Sequence, residues 1–380
     1  MTSGAMKAVT PAQEAIDVCE RAPAYVRAIA PYQPGKPISE LAREMGLPEA
    51  SIVKLASNEN PRGASPRALA AMRTAIGETG RYPDGNGFAL KNALSKRYGL
   101  APDRIVLGNG SNDVLEMAAR AFLAPGTSAI YSEHAFAVYP LATQATGANG
   151  IVVPARDFGH DLDAMSKAIR SDTRVVFVAN PNNPTGTWLP PKAIRGFLEK
   201  IPADVLVVLD EAYDEYLDPD LRSDAPRWSD EFPNLVVSRT FSKAYGLAGL
   251  RVGYGFSHPQ VADLMNRVRQ PFNVSDIAQV AATAALSDDE FVVQSTRLNK
   301  QGMETLTEGF LRLGLPWIPS HGNFVCVKVG KGAEVFQRLL KQGVIVRPIA
   351  SYGMPEFLRV TIGTESENDR FLSALATIVR

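Results

Sequence analysis

The chain has 380 residues, 45% hydrophobic and 21% charged, enough to bury a large core divided over more than one lobe. Lysine plus arginine and aspartate plus glutamate balance at 40 each, which excludes a global basic field for nucleic acid or an anionic membrane and makes any anion site local. Cys19, Cys326 and four scattered histidines give neither a disulfide framework nor metal-ligand spacing, no run reaches the roughly 18 apolar residues of a membrane helix, and the N-terminus lacks the order of a signal peptide, so a metal-free cytoplasmic protein is expected.

In chain order, the first 60 or so residues contain a Pro-rich stretch, APYQPGKP, that reads as an arm plus part of a smaller lobe. From there, apolar runs alternate with helical patterns, the rhythm of an α/β fold with a large, mostly parallel sheet. Strands are expected at 104–108 (RIVLG), 128–131 (SAIY), 151–154 (IVVP), 174–180 (RVVFVAN), 204–210 (DVLVVLD), 234–238 (NLVVS) and 251–256 (RVGYGF). Several are continuously apolar, as strands buried on both faces tend to be. Helices are expected over DVLEMAARAFLA, after Ser111 and Asn112, and over LDAMSKAIRS. After about residue 285 the order becomes a long helix, the strand NFVCVKV, a helix around AEVFQRLLKQG, the strands VIVRP and FLRVTIG, and a terminal helix. The partition expected is 1–64 as arm and part of the small domain, 65–285 as the large sheet domain, and 286–380 as a small α+β domain.

Chemistry concentrates where these strands end. In SRTFSKAYGLAGLR, Lys243 follows Thr240 and Ser242 and precedes Arg251, placing an amine beside three groups able to bind phosphate; the plain alternative is a surface lysine on a glycine-shaped turn. DVLVVLDEAY ends an apolar strand at Asp210, an acid whose burial calls for a cation such as a protonated pyridine nitrogen, and Tyr213 follows three residues on. The plain reading of that pair is a capping Asp and a packing Tyr. PNNPTG forces tight turns that would hold the Asn183 amide at the sheet edge, unless it is only a turn. In GNGSND a helix begins near Ser111 and Asn112, where free backbone N–H groups suit phosphate, although both residues are also ordinary N-caps.

Together SRTFSKAYGLAGLRVGY, VLDEAY, NPNNPTG, GNGSND, NENPRGASP, RYPDG and LRVTIGT resemble, in order and from about residue 25 to the C-terminus, the motifs of fold-type-I pyridoxal-phosphate aminotransferases, and more narrowly the histidinol-phosphate aminotransferase family. The resemblance implies pyridoxal 5'-phosphate as cofactor, with Lys243 binding it covalently and then shuttling protons, Asp210 paired with the pyridine nitrogen, and Tyr213 and Asn183 on the ring hydroxyl. It implies a phosphate site of Ser111, Asn112, Thr240, Ser242 and Arg251, and a stacking aromatic at Phe136, where many members carry Tyr. Tyr82 would reach the phosphate of the neighbouring subunit, which implies a homodimer with shared active sites. Arg359 and Arg347 would bind the substrate anion, with Tyr32 and Asn60 as further substrate contacts; the plain reading of the arginines is a pair of exposed strand residues. Arg62 departs from the apolar or aromatic residue common after NENP.

The activity implied is transamination between a small-molecule amino donor and a 2-oxo acid acceptor, histidinol phosphate and 2-oxoglutarate. An aromatic amino acid aminotransferase and a decarboxylase acting on threonine phosphate would share the machinery. A cofactor-sensing regulator would need an N-terminal DNA-binding helical domain, for which the chain leaves no room.

Overall fold

The computed structural model describes residues 18–379, so the N-terminal residues read above for a leader, and the start of the expected 1–64 segment, lie outside the described residues. Strands in chain order are β1 (Val53–Lys54), β2 (Ile105–Gly108), β3 (Ser128–Ser132), β4 (Asn149–Val153), β5 (Thr173–Ala179), β6 (Leu206–Asp210) and β7 (Leu235–Thr240). They continue as β8 (Gly253–Ser257), β9 (Trp317–Ile318), β10 (Phe324–Lys328), β11 (Val344–Ile345), β12 (Arg347–Pro348) and β13 (Phe357–Thr361). The large sheet has the order β2-β8-β7-β6-β5-β3-β4. Within it β8 pairs antiparallel with both β2 and β7, while β7, β6, β5, β3 and β4 pair in parallel. The central strands are buried on both faces: Val176, Val178, Val207 and Leu209 face one core and Val175, Phe177, Leu206 and Val208 the other. That explains their unbroken apolar sequence.

β9, β10, β12 and β13 form an antiparallel sheet of order β12-β13-β10-β9, and β1 pairs in parallel with β11. These elements, the helix Asp289–Arg312 and the helix Glu365–Val379 share a third core that includes Leu306, Phe310, Val325, Val360 and Phe371. Leu55, from the N-terminal segment, is part of it.

Most strand ends shift by one or two residues from the sequence reading, VIVRP divides into β11 and β12 in two different sheets, and two further boundaries move for a visible reason. The helix expected over LDAMSKAIRS covers only Leu162–Lys167, because the chain turns back at Arg170, whose amide donates to Thr173 Oγ1 at 3.0 Å. The strand expected from Arg251 starts at Gly253, because Arg251 holds a left-handed φ of 53° and turns its guanidinium to Ser242. Parallel strands leave their loops at one carboxyl edge, where α/β sheets form clefts. Asp210 and Thr240 are the last residues of β6 and β7, Asn183 follows β5, Phe136 follows β3, and Ser111 opens the helix Ser111–Phe122 after β2.

Candidate active site

The cleft at this edge, about 200 Å3, is closed on its far side by β12, β13 and the segment around Tyr32. Lys243, Asp210, Tyr213, Asn183, Phe136, Ser111, Asn112, Thr240, Ser242 and Arg251 all line it, as do Tyr32, Arg347 and Arg359. Lys243 sits on the turn after β7, where the Gly246 amide donates to the Lys243 carbonyl at 2.9 Å. Gly246 has φ 70°, and a Cβ there would strike the Gly63 carbonyl of the NENPRG segment crossing over it. Only glycine serves both demands. Lys243 Nζ donates to the Ser57 carbonyl at 3.2 Å and lies 5.6 Å from the centroid of the Tyr213 ring. Burial, reinforced by the nearby Arg359 charge, lowers its pKa to about 7, so a large fraction is the neutral, nucleophilic amine at neutral pH.

Asp210 is buried at the end of β6, and burial pushes its carboxyl up to about 6, opposed by the Tyr139 hydroxyl, which donates to Oδ2 at 2.9 Å. Oδ1 is buried without a hydrogen-bond partner among the described residues. A buried carboxylate oxygen left open beside an amine is what a cationic ring N–H would satisfy. The Tyr213 hydroxyl accepts from Asn58 Nδ2 at 2.9 Å, and burial raises its pKa to about 12, keeping it a neutral donor.

At the other end, the helix Ser111–Phe122 begins after Gly110, which has no side chain to occupy the first-turn amides. Gly110 has φ 78°, and a Cβ on it would strike the Arg251 guanidinium. Arg251 Nη1 donates to Ser242 Oγ at 3.3 Å, and the Ser242 amide to Thr240 Oγ1 at 3.1 Å. Bare helix amides, two hydroxyls and a guanidinium make an anion cup suited to phosphate.

Arg359, in the interior of β13, is 7% exposed, which sets aside the reading of two exposed strand arginines. Its Nη1 donates to Asn183 Oδ1 at 2.6 Å and its Nη2 to the Ala56 carbonyl at 2.9 Å, while Nε is buried without a partner among the described residues. Arg347 is half-buried, stacks 5.6 Å over the Tyr32 ring and donates to the Gln33 carbonyl at 2.7 Å, tying the Pro-rich arm to the cleft.

Asn60 is a correction. Its amide is consumed inside the protein, with Nδ2 donating to the Ala244 carbonyl and Ser295 Oγ, both at 2.9 Å, and it supports the Lys243 turn from behind instead of lining the cleft. Asn58, the first Asn of the same NEN, has a left-handed φ of 56° and takes the lining position. Arg62 points elsewhere too, 5.2 Å over Phe291 and bonded to Gln294 Oε1 at 2.6 Å, so its departure from an apolar residue serves packing on the long helix. Tyr82 lies outside this chain's own cleft and is 83% exposed. Sequence reasoning missed Tyr139, although EHAFAVY contains it three residues after Phe136, the spacing of neighbours on one helical face. It also missed Tyr352, a cleft wall from the turn before β13.

Removing the Tyr139 hydroxyl takes away the side-chain donor to the second Asp210 oxygen. In cofactor-free Tyr139→Phe the Asp210 titration, read from urea unfolding across pH, is therefore expected to move upward by about one unit, the equivalent of one hydrogen bond to a charge.

A fold with a lysine on the turn after a central strand, a buried carboxylate facing it and a phosphate cup at a helix start defines a class of proteins handling a phosphate-bearing carbonyl. The family described as Aminotransferase class I and II matches residues 50–375, and the chain belongs to it. It is 65% identical over 359 residues, 94% of this chain and 97% of the relative, to histidinol-phosphate aminotransferase of Methylobacillus flagellatus. It is 63% identical over 362 residues, 95% of this chain and 92% of the relative, to histidinol-phosphate aminotransferase 2 of Nitrosospira multiformis. Among solved structures, histidinol-phosphate aminotransferase from Sinorhizobium meliloti in complex with pyridoxal-5'-phosphate matches with a TM-score of 0.86 and 30% identity, covering 95% of this chain and 98% of that one.

Proposed function

We propose that this chain is a pyridoxal-phosphate-dependent aminotransferase of histidine biosynthesis, converting histidinol phosphate and 2-oxoglutarate to imidazole acetol phosphate and glutamate, and that it works in the cytoplasm as a homodimer with shared sites. The observation that carries the chemistry is the convergence of Lys243, the open Asp210 Oδ1 and the anion cup in one cleft. The names of the relatives above support the substrate.

The residues fit the cofactor. The first amides of the helix Ser111–Phe122, with Thr240, Ser242 and Arg251, would hold its phosphate. Asp210 Oδ1 would accept its ring N–H, Tyr213 and Asn183 would meet its hydroxyl, and Phe136 would cover one face. Pyridoxal phosphate, when bound, supplies a carbonyl that exchanges amino groups and a protonated ring that delocalises negative charge. Lys243 Nζ holds it, and once free is the base that takes the proton from the substrate carbon bearing the amine. Arg359 Nε, with Arg347 at the cleft mouth, would bind the substrate's anionic group, while Tyr32, Phe136 and Tyr352 supply flat walls for an imidazole.

Side-by-side kinetics test this. Histidinol phosphate is expected to exceed phenylalanine and tyrosine in kcat/KM, and the reverse order would make the chain an aromatic amino acid aminotransferase. Arg359→Ala is expected to lower kcat/KM for histidinol phosphate and for glutamate by up to roughly 10²-fold, the loss of a charge-assisted bond, with the cofactor still bound.

A further inference from the structure

Tyr82 and Phe272 form a pair that the cleft of the same chain does not use. Their rings stack with centroids 4.8 Å apart and planes at 23°, although Tyr82 is 83% and Phe272 46% exposed. The loop carrying Tyr82 is clamped from below. The Asp84 carboxylate accepts from the amides of Asn86 and Phe88 at 2.9 and 2.7 Å, its carbonyl from Gln279 Nε2 at 3.0 Å, and the Gly85 carbonyl from Arg269 Nη2 at 2.8 Å. Phe272 is held with φ 56°, a conformation a bulky L-residue seldom adopts, and its ring lies over Gly85, where a Cβ would come within 3.3 Å. On its flank, Asn273 Nδ2 donates to the Leu107 carbonyl at 3.1 Å and to Asp113 Oδ2 at 2.6 Å, in the first turn of the helix that opens the anion cup. Leu69, Ile76 and Phe88, on the adjoining helical segments, are also exposed.

A rigid loop that points an exposed tyrosine at solvent, pinned by a phenylalanine kept in a costly backbone conformation, gains little for the isolated chain. Such strain persists where the surroundings enforce it, and it marks functional positions. We propose that Phe272 is a positioning residue for the shared site: its ring fixes Tyr82, before association, in the orientation in which the hydroxyl enters the cleft of a second copy and donates to the phosphate held there. This rests on the homodimer reading above. An unstacked exposed tyrosine would sample several rotamers and lose that freedom on docking, and the stack removes that cost in advance.

The test compares Tyr82→Ala, Phe272→Asn, both together, and Phe272→Tyr. Asparagine tolerates the left-handed φ and so removes the ring while leaving the backbone. Each holoenzyme is dialysed and its cofactor absorbance followed, its mass is measured by sedimentation equilibrium, and retention of pyridoxal, which lacks the phosphate, is measured in parallel. Phe272→Asn is expected to remain a dimer and to lose pyridoxal phosphate roughly 3- to 10-fold faster, the range of one aromatic pair. Phe272→Tyr should restore retention, the double variant should lose cofactor no faster than Tyr82→Ala alone, and pyridoxal retention should not change. Unchanged retention in Phe272→Asn, additive losses in the double variant, or an equal effect on pyridoxal would each overturn the assignment to Phe272. If Tyr82→Ala itself retains cofactor normally, the shared-site reading falls and this inference with it; if only Tyr82→Ala loosens it, the inference alone falls.

Discussion

Lys243→Ala is expected to lower turnover by about 10⁴-fold or more, because one substitution removes both the nucleophile that holds the cofactor and the base that moves the proton. The fold should not suffer. Lys243 Nζ makes one bond, to the Ser57 carbonyl, and its charge is disfavoured by burial and by Arg359, so deleting it relieves repulsion. Thermal unfolding of the variant should stay close to that of the parent while activity disappears. Lys243→Arg should be equally inactive, since a guanidinium keeps the charge and cannot give up its proton. Borohydride reduction of the parent protein is expected to fix the cofactor on the peptide containing Lys243. Label on another lysine, or a Lys243→Arg enzyme with substantial turnover, would remove Lys243 from the reaction.

Asp210→Asn is expected to move activity and stability in opposite directions. Asparagine has the shape of aspartate without the charge that would keep the cofactor's ring protonated, so kcat should fall by more than the ~10²-fold typical of one electrostatic group. The stability sign follows from the raised carboxyl. Its pKa is 3.8 in an unperturbed chain and about 6 in the folded one, so the folded state binds the proton more tightly. The Asp210 contribution is therefore favourable below pH 4, is lost as pH rises towards 6, and leaves a buried charge above that. In the cofactor-free protein, Asp210→Asn should gain stability over the parent between pH 4 and 6, up to about 3 kcal/mol, the ceiling set by a shift of roughly two units. Urea unfolding of both proteins at pH 4 and pH 8 reads it: a difference of the same size at both values would disconnect the effect from titration, and near-full activity would give the ring contact to another group.

Much of the cleft was legible because its parts are local. A lysine, two hydroxyls and an arginine within one strand exit, an acid at the end of an apolar run, and a helix start after Gly110 each declare their chemistry over a few residues. The strands that carry them were legible too, since burial on both faces leaves unbroken apolar runs. The errors came from contacts that no local pattern encodes. Asn58 and Asn60 are two residues apart in one motif, and only packing decides that one reaches Tyr213 across 155 positions while the other is spent on Ala244 and Ser295.

The kind of fold, the residue types at the strand ends and the chemistry they permit are written in short spans of chain, because hydrophobic period and turn residues act locally. How those groups are poised depends on contacts between distant segments. Tyr139 meets Asp210 across 71 positions and Arg359 meets Asn183 across 176. The low pKa of Lys243 arises from burial and from the Arg359 charge on a remote segment, and the high one of Asp210 from burial against the opposing pull of Tyr139 and Lys243, so both exist only once the two sheets close on the cleft.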